Sequence, residues 1–214
     1  RAAAIDREDV FDRTLYRGMA ELGLFGVSLP ESSGGTGLDT VSLCLVMEEL
    51  ARCSAAIGNA FAIPVEAALF LHHHGNASQK ALIPGILDGS IVFATAMTEP
   101  DFGSDAASIQ TTARATGDGW VLNGTKAWVT LGGVADRIMV FARTGKEAGH
   151  KSMSCFLVDA SSPGVAGTGG RTSSRRRSSA GRRSSAASRT RSPRQAPKAG
   201  PGSRSSRDRP GSAR

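Results

Sequence analysis

The sequence predicts an α+β fold: a helical module over roughly the first 90 residues, an antiparallel β module over 91–165, and a disordered basic tail over 166–214. Three observations carry this. Apolar residues recur at helical spacing up to about residue 87, the period shortens near Gly89, and apolar residues give way to Arg, Ser, Gly, Ala and Pro after Pro163-Gly164-Val165.

Phe11, Leu15, Met19 and Leu22 predict the first helix, with Gly23 and Gly26 punctuating its end. Leu29 to Gly37 reads as a loop. Asp39 or Thr40 caps the next helix, which runs through Val41, Leu45, Met47 and Leu50. A third helical stretch covers about Pro64 to His74, and Gly75-Asn76 ends it. A fourth runs from about Ser78 to Leu87 and is weakened by Pro84.

Ile91 to Thr95 is short, apolar and β-prone. Ile109 to Ala115 alternates, and Trp120-Val121-Leu122 follows across Gly117-Asp118-Gly119 as a hairpin. Ala127 to Thr130 reads as a further strand ended by Gly132-Gly133, and Arg137 to Ala142 and Met153 to Asp159 read as two more.

Charge divides the chain at the same place as hydropathy. Residues 1–165 hold 12 Lys+Arg against 18 Asp+Glu, a net of −6, while 166–214 hold 14 Lys+Arg against Asp208 alone, a net of +13. The high pI is therefore a property of the tail, and no basic groove is implied for the folded part. The tail has no Leu, Ile, Phe, Trp or Tyr with which to offset its chain entropy.

Cys44, Cys53 and Cys155 are odd in number and widely spaced, which argues against a disulfide framework and fits a reducing, cytoplasmic setting. No metal-ligand spacing and no apolar run long enough for a bilayer are expected. The chain starts with Arg1, which fits a fragment, and no signal peptide is visible.

The densest chemistry lies in Ala96-Met97-Thr98-Glu99-Pro100-Asp101-Phe102-Gly103-Ser104-Asp105, just after a strand. Gly103 allows close backbone approach, and Thr98 and Ser104 are short hydrogen-bonding groups. Farther on, Lys126-Ala127-Trp128-Val129-Thr130 puts an indole beside a threonine, a pairing suited to a planar heteroaromatic ligand. A turn and a core tryptophan explain the same residues equally well.

Thr98-Glu99-Pro100-x-x-Gly103-Ser104-Asp105 followed by Asn123-Gly124-x-Lys126-x-Trp128-Val129-Thr130 resembles the paired signature of the acyl-CoA dehydrogenase family. Glu21 to Gly26 with Pro30-Glu31-x-x-Gly34-Gly35, Met47 to Ala51, and Pro163-Gly164-Val165 agree with it in order and spacing, over about residues 10–165. The resemblance implies a helical N-terminal domain over 1–90 and an incomplete antiparallel β-barrel-like middle domain over 91–165.

It also implies FAD. Thr95 to Ser104 would border it, with Met97 and Thr98 near the isoalloxazine and Ser104 near the pyrophosphate or the acyl thioester. Trp128 would stack beside the flavin, with Val129 and Thr130 completing the contact. Thr95, Met97, Thr98, Gly103, Ser104, Trp128, Val129 and Thr130 are thus the expected cofactor residues, and Ser104 also a substrate residue. The implied reaction is α,β-dehydrogenation of an acyl-CoA, with an electron-transfer flavoprotein as acceptor and a homo-oligomeric assembly.

No catalytic residue is assigned. The family's base is a glutamate on a later helical domain, and no segment after residue 165 resembles that domain. Glu99 reads as a structural carboxylate holding its loop, and Glu48-Glu49 as a helix face making ordinary ion pairs. His72-His73-His74 sit about 100° apart on a helix and cannot converge on one metal, so they read as solvated or capping side chains. The Arg/Ser-rich tail fits a frameshift of a GC-rich coding sequence, which would leave a truncated chain with little activity. The alternatives are an RNA-binding or membrane-surface tail and a non-catalytic helical binding module.

Overall fold

The computed structural model describes residues 2–167, apart from positions 9, 118, 146 and 148, together with the backbone of Ala187–Arg189. Helices precede strands, so the expected α+β order holds. The expectation of disorder for 166–214 lies largely outside the described residues.

Helices α1 (Ala2–Glu8) and α2 (Arg13–Glu21) open the chain. Asp12 caps α2, its carboxylate accepting from the amides of Thr14 and Leu15 at 3.0 Å. Gly23, at φ +72°, ends this helix in the left-handed conformation glycine adopts freely. Helix α3 (Thr40–Cys53) is capped by Asp39, which accepts from the Ser42 amide at 2.9 Å. It carries the Glu49–Arg52 ion pair at 3.0 Å on an exposed face.

Helix α4 (Ala55–His74) begins nine residues earlier than the sequence predicts, with Pro64 inside it. Proline removes one backbone donor and is normally read as a helix start. Here the buried face of Ile57, Phe61, Val65, Ala68 and Leu71 outweighs that local preference. By length and composition α4 also satisfies the requirement for a membrane span, contrary to the sequence-based expectation. Its burial against the other helices and the sheet identifies it as the core helix. The fourth predicted helix is two short ones. Helix α5 (Ala77–Lys80) has an Asn76–Gln79 capping box, and α6 (Ile83–Leu87) carries Pro84 in its first turn.

The strands are β1 (Phe93–Ala96), β2 (Thr112–Thr116), β3 (Gly119–Asn123), β4 (Arg137–Arg143), β5 (Met153–Asp159) and β6 (Ala187–Arg189). The β2–β3 hairpin pairs as predicted, Ala115 opposite Trp120. The sheet is mixed, however, and not purely antiparallel. Strand β4 has β5 antiparallel on one edge, while β1 and the start of β2 run parallel to it on the other. The sheet does not close, its strand order being β3-β2-β4-β5-β6 with β1 beside β4. Parallel pairing requires a crossover between the strands, which residues 97–136 supply with the two candidate loops.

Two further expectations change. Ala127 to Thr130 forms no strand: Trp128 (φ +57°) and Leu131 (φ +62°) are left-handed and break any extended run. Ala187–Arg189, expected to be disordered, pairs antiparallel with β5. Main-chain pairing needs no apolar side chain, and β5 offers a free edge.

Three apolar clusters join the parts. Tyr16, Met19, Phe25, Ile57, Phe61 and Val65 pack within the helices. Leu71 and Ile86 pack against Phe93, Met139 and Leu157 of the sheet. Ala113, Ala142, Phe156 and Val158 form a third cluster, with Trp120 tilted on Phe156 at 5.2 Å.

Candidate functional site

The residues singled out in the sequence fall on two crossover loops, one after β1 and one after β3. Glu99 and Phe102 exchange backbone hydrogen bonds of 2.9 and 3.1 Å, folding Pro100-Asp101 into a tight turn. Asp105 accepts from the Ser108 hydroxyl at 2.5 Å and steadies the short 3₁₀ turn of Ala106–Ser108.

Lys126 joins the loops. Its ammonium donates to Glu99 Oε1 at 2.8 Å and to the Met97 carbonyl at 2.9 Å. The Ala127 amide donates to the Thr98 carbonyl at 2.9 Å. Glu99 is then completed by the amides of Gln110 (2.6 Å to Oε2) and Thr111 (2.9 Å to Oε1). Its buried carboxylate is thus met by a cation and two N–H groups, as a buried charge requires.

Burial alone would raise the Glu99 carboxyl, but the Lys126 ammonium and the two amides outweigh it and hold the group down to about 2. Burial likewise lowers Lys126, and Glu99 restores part of the loss. Glu99 is therefore a weak base at neutral pH, and its role is to hold the loop.

The predicted residues distribute around this lock. Thr95 lies in β1 opposite Met139. Met97 and Thr98 are half-buried, with their carbonyls engaged. Gly103 and Ser104 are exposed, and a methyl group on Gly103 would meet nothing within 4 Å. Trp128 is 90% exposed, which rules out a core tryptophan. Val129 and Thr130 are half-buried and line a cavity of about 620 Å³ against the helices. The lock brings 97–99 beside 126–127.

Sequence reasoning gave Lys126 no role and missed Gln110 and Thr111, which contribute through backbone amides that every residue but proline has. Of the histidines, His72 Nδ1 lies 2.9 Å from the Ser33 hydroxyl, tying the 30–37 loop to the end of α4. Among the described residues no three His, Cys, Asp or Glu side chains are placed to share a metal ion.

Residues 1–90 match the N-terminal domain of the acyl-CoA dehydrogenases and residues 94–191 match their middle domain. The chain belongs to the acyl-CoA dehydrogenase family. The middle-domain match continues past Val165 into the Arg/Ser-rich segment. Benzylmalonyl-CoA dehydrogenase of Aromatoleum aromaticum is 43% identical over 167 residues, which are 77% of this chain and 44% of that protein. The human mitochondrial short-chain specific acyl-CoA dehydrogenase is 39% identical, over 77% of this chain and 40% of its own length.

Among solved structures, glutaryl-CoA dehydrogenase of Mycobacterium smegmatis in complex with FADH2 superposes with a TM-score of 0.66 at 31% identity, over 72% of this chain and 39% of that one. A chain in the structure of an electron transferring flavoprotein of Acidaminococcus fermentans gives 0.70 at 37% identity, over 75% and 43%. The chain thus spans less than half the length of these relatives.

Proposed function

We propose that this chain supplies the flavin- and thioester-facing wall of an FAD-dependent enzyme that desaturates acyl-CoA thioesters between the α and β carbons. The observation that carries this is the Lys126–Glu99 lock, which sets the two loops side by side while leaving Trp128 90% exposed. An indole held out of the core offers an apolar face to a planar ring. Gly103, with open space where a side chain would stand, lets a ligand approach the backbone. These features fit a flavin.

In this reading Trp128 stacks beside the ring system, and Met97 and Thr98 border it together with Thr95, Val129 and Thr130. Gly103 and Ser104 face the pyrophosphate or the thioester. Bound FAD supplies the hydride acceptor for the β-hydrogen. The chain's residues orient the cofactor and thioester and keep water from one face. Hydrogen bonds donated from this wall would make a bound flavin a better electron acceptor. The α-proton goes to a carboxylate outside the two loops, since Glu99 is held ionised by Lys126 and has little affinity for a proton.

Turnover by these 214 residues alone is accordingly expected to be low. An acyl-CoA is the proposed substrate, an electron-transfer flavoprotein the proposed acceptor, and a homo-oligomer the proposed assembly. A reducing, cytoplasmic location is part of the same proposal, in keeping with three cysteines that are not joined in disulfides.

The test is anaerobic addition of a short-chain acyl-CoA to the chain incubated with FAD. A saturable perturbation of the flavin's visible band with little bleaching is expected. A spectrum identical to that of free flavin contradicts the proposal.

A further inference from the structure

We propose that Glu66 makes the proposed site selective for acyl groups that carry a positive charge, such as a protonated amine, by presenting a carboxylate to the acyl chain. The inference rests on the flavin-wall reading and adds a substrate class to it.

Glu66 is the one Asp, Glu, Lys or Arg in the 20 residues of α4. Its neighbours one turn away on the same face are Ala62, Ile63 and Phe70, all half-buried and apolar. A single charge is thus set into a stripe that is otherwise hydrocarbon.

The fold brings that stripe to the site. Just past Glu66, Ala67, Ala68 and Leu71 pack on Phe93 and Met139. Phe93 and Thr95 are two residues apart in β1 and so share a face, and Thr95 pairs with Met139. The Glu66 carboxyl accordingly lies close enough to the Thr95 hydroxyl for that hydroxyl to favour its ionised form. Two turns earlier, about 10 Å along the helix axis, Asn59 and Ala60 line one cavity with Val129 and Thr130. Helix α4 therefore runs past Thr95 and past Val129-Thr130, three residues of the proposed wall. An apolar stripe beside that wall suits the hydrocarbon of an acyl chain, and Glu66 is the charge the chain meets there.

The carboxylate has no counter-charge. No Lys, Arg or His among the described residues forms an ion pair with Glu66. Glu99, by contrast, is met by a cation and two amides. Glu66 is open to a ligand from outside, yet burial raises its carboxyl above the ordinary 4.5, against the pull of the Thr95 hydroxyl. A charge partly shielded from water and left unpaired is stabilised by a cation that arrives with the ligand. The same charge repels an acyl group that ends in a carboxylate.

The test uses the full 214-residue chain loaded with FAD and reads dissociation constants from the flavin's visible band. The probes are two matched pairs, β-alanyl-CoA with butyryl-CoA and 6-aminohexanoyl-CoA with heptanoyl-CoA, together with succinyl-CoA. Within each pair an ammonium replaces a methyl group of the same size. At least one ammonium analogue is expected to bind about fivefold more tightly than its partner, and succinyl-CoA to bind less tightly than butyryl-CoA. Glu66→Gln keeps the shape and should level both differences, while Glu66→Lys should favour succinyl-CoA over β-alanyl-CoA. Equal affinities within both pairs, or a preference that survives in Glu66→Gln, overturn this inference, and a saturable response to butyryl-CoA in the same experiment leaves the flavin wall standing. A flavin band that no acyl-CoA perturbs overturns both.

Discussion

Lys126 Nζ stands 2.8 Å from Glu99 Oε1, and the two side chains are only 9% and 6% exposed. This contact joins the loop after β1 to the loop after β3. Breaking a buried pair from one side leaves an uncompensated charge and costs about 3–5 kcal/mol. Lys126→Met is expected to lose stability in that range by urea unfolding. Because Glu99→Gln removes the charge that Lys126 compensates, the double variant should be less destabilised than the two single losses added together.

Acid should act on the same lock. The folded Glu99 carboxyl lies near 2, below its ordinary 4.5, so the native state favours the ionised form. Its contribution is complete above 4.5 and is lost as pH falls from 4.5 toward 2. Urea midpoints measured at descending pH should show this limb in the parent chain and a flatter one in Glu99→Gln.

Arg143 joins the start of the 106–111 segment to the end of β4. Its guanidinium donates to the Ile109 and Ala107 carbonyls at 2.6 Å each and to the Ser152 hydroxyl at 2.7 Å. Lysine lacks that fork. Arg143→Lys is expected to cost about 2 kcal/mol, since hydrogen bonds from a charged donor are worth roughly 1.5–3 kcal/mol each and lysine keeps only part of them. Thermal unfolding would read this as a drop in Tm.

Two glycines of the paired motif should respond oppositely to alanine. A Cβ on Gly124 would lie 2.2 Å from Thr111 Oγ1 and 2.7 Å from its backbone Cα, whereas one on Gly103 would meet nothing. Gly124→Ala is expected to destabilise by about 1–3 kcal/mol. Gly103→Ala should stay within about 0.5 kcal/mol of the parent and weaken FAD binding. Loss of stability at Gly103 would show that the glycine serves the fold and not a ligand.

Much of this architecture was legible because local and global preferences agree. Asp39 caps α3, Gly117 and Gly119 flank the hairpin, and β4 and β5 alternate or run apolar as buried strands do. Pro64 misled because its local preference for a helix start yields to the buried face of α4. Trp128 misled differently. Its neighbours have strand-forming side chains, but Lys126 is drawn inward to a carboxylate 27 residues away, and no local pattern encodes that pull. The parallel partners of β4 were hidden for the same reason: pairing between distant strands leaves no periodic mark in either.

The most direct test of the proposed flavin wall uses the chain's two tryptophans. Trp120 packs on Phe156, while Trp128 stands exposed. Titrating the full chain with FAD should quench tryptophan emission saturably, and Trp128→Phe should remove most of that quenching while Trp120→Phe keeps it. Quenching that persists undiminished in Trp128→Phe, or none at all in the parent chain, would contradict the account.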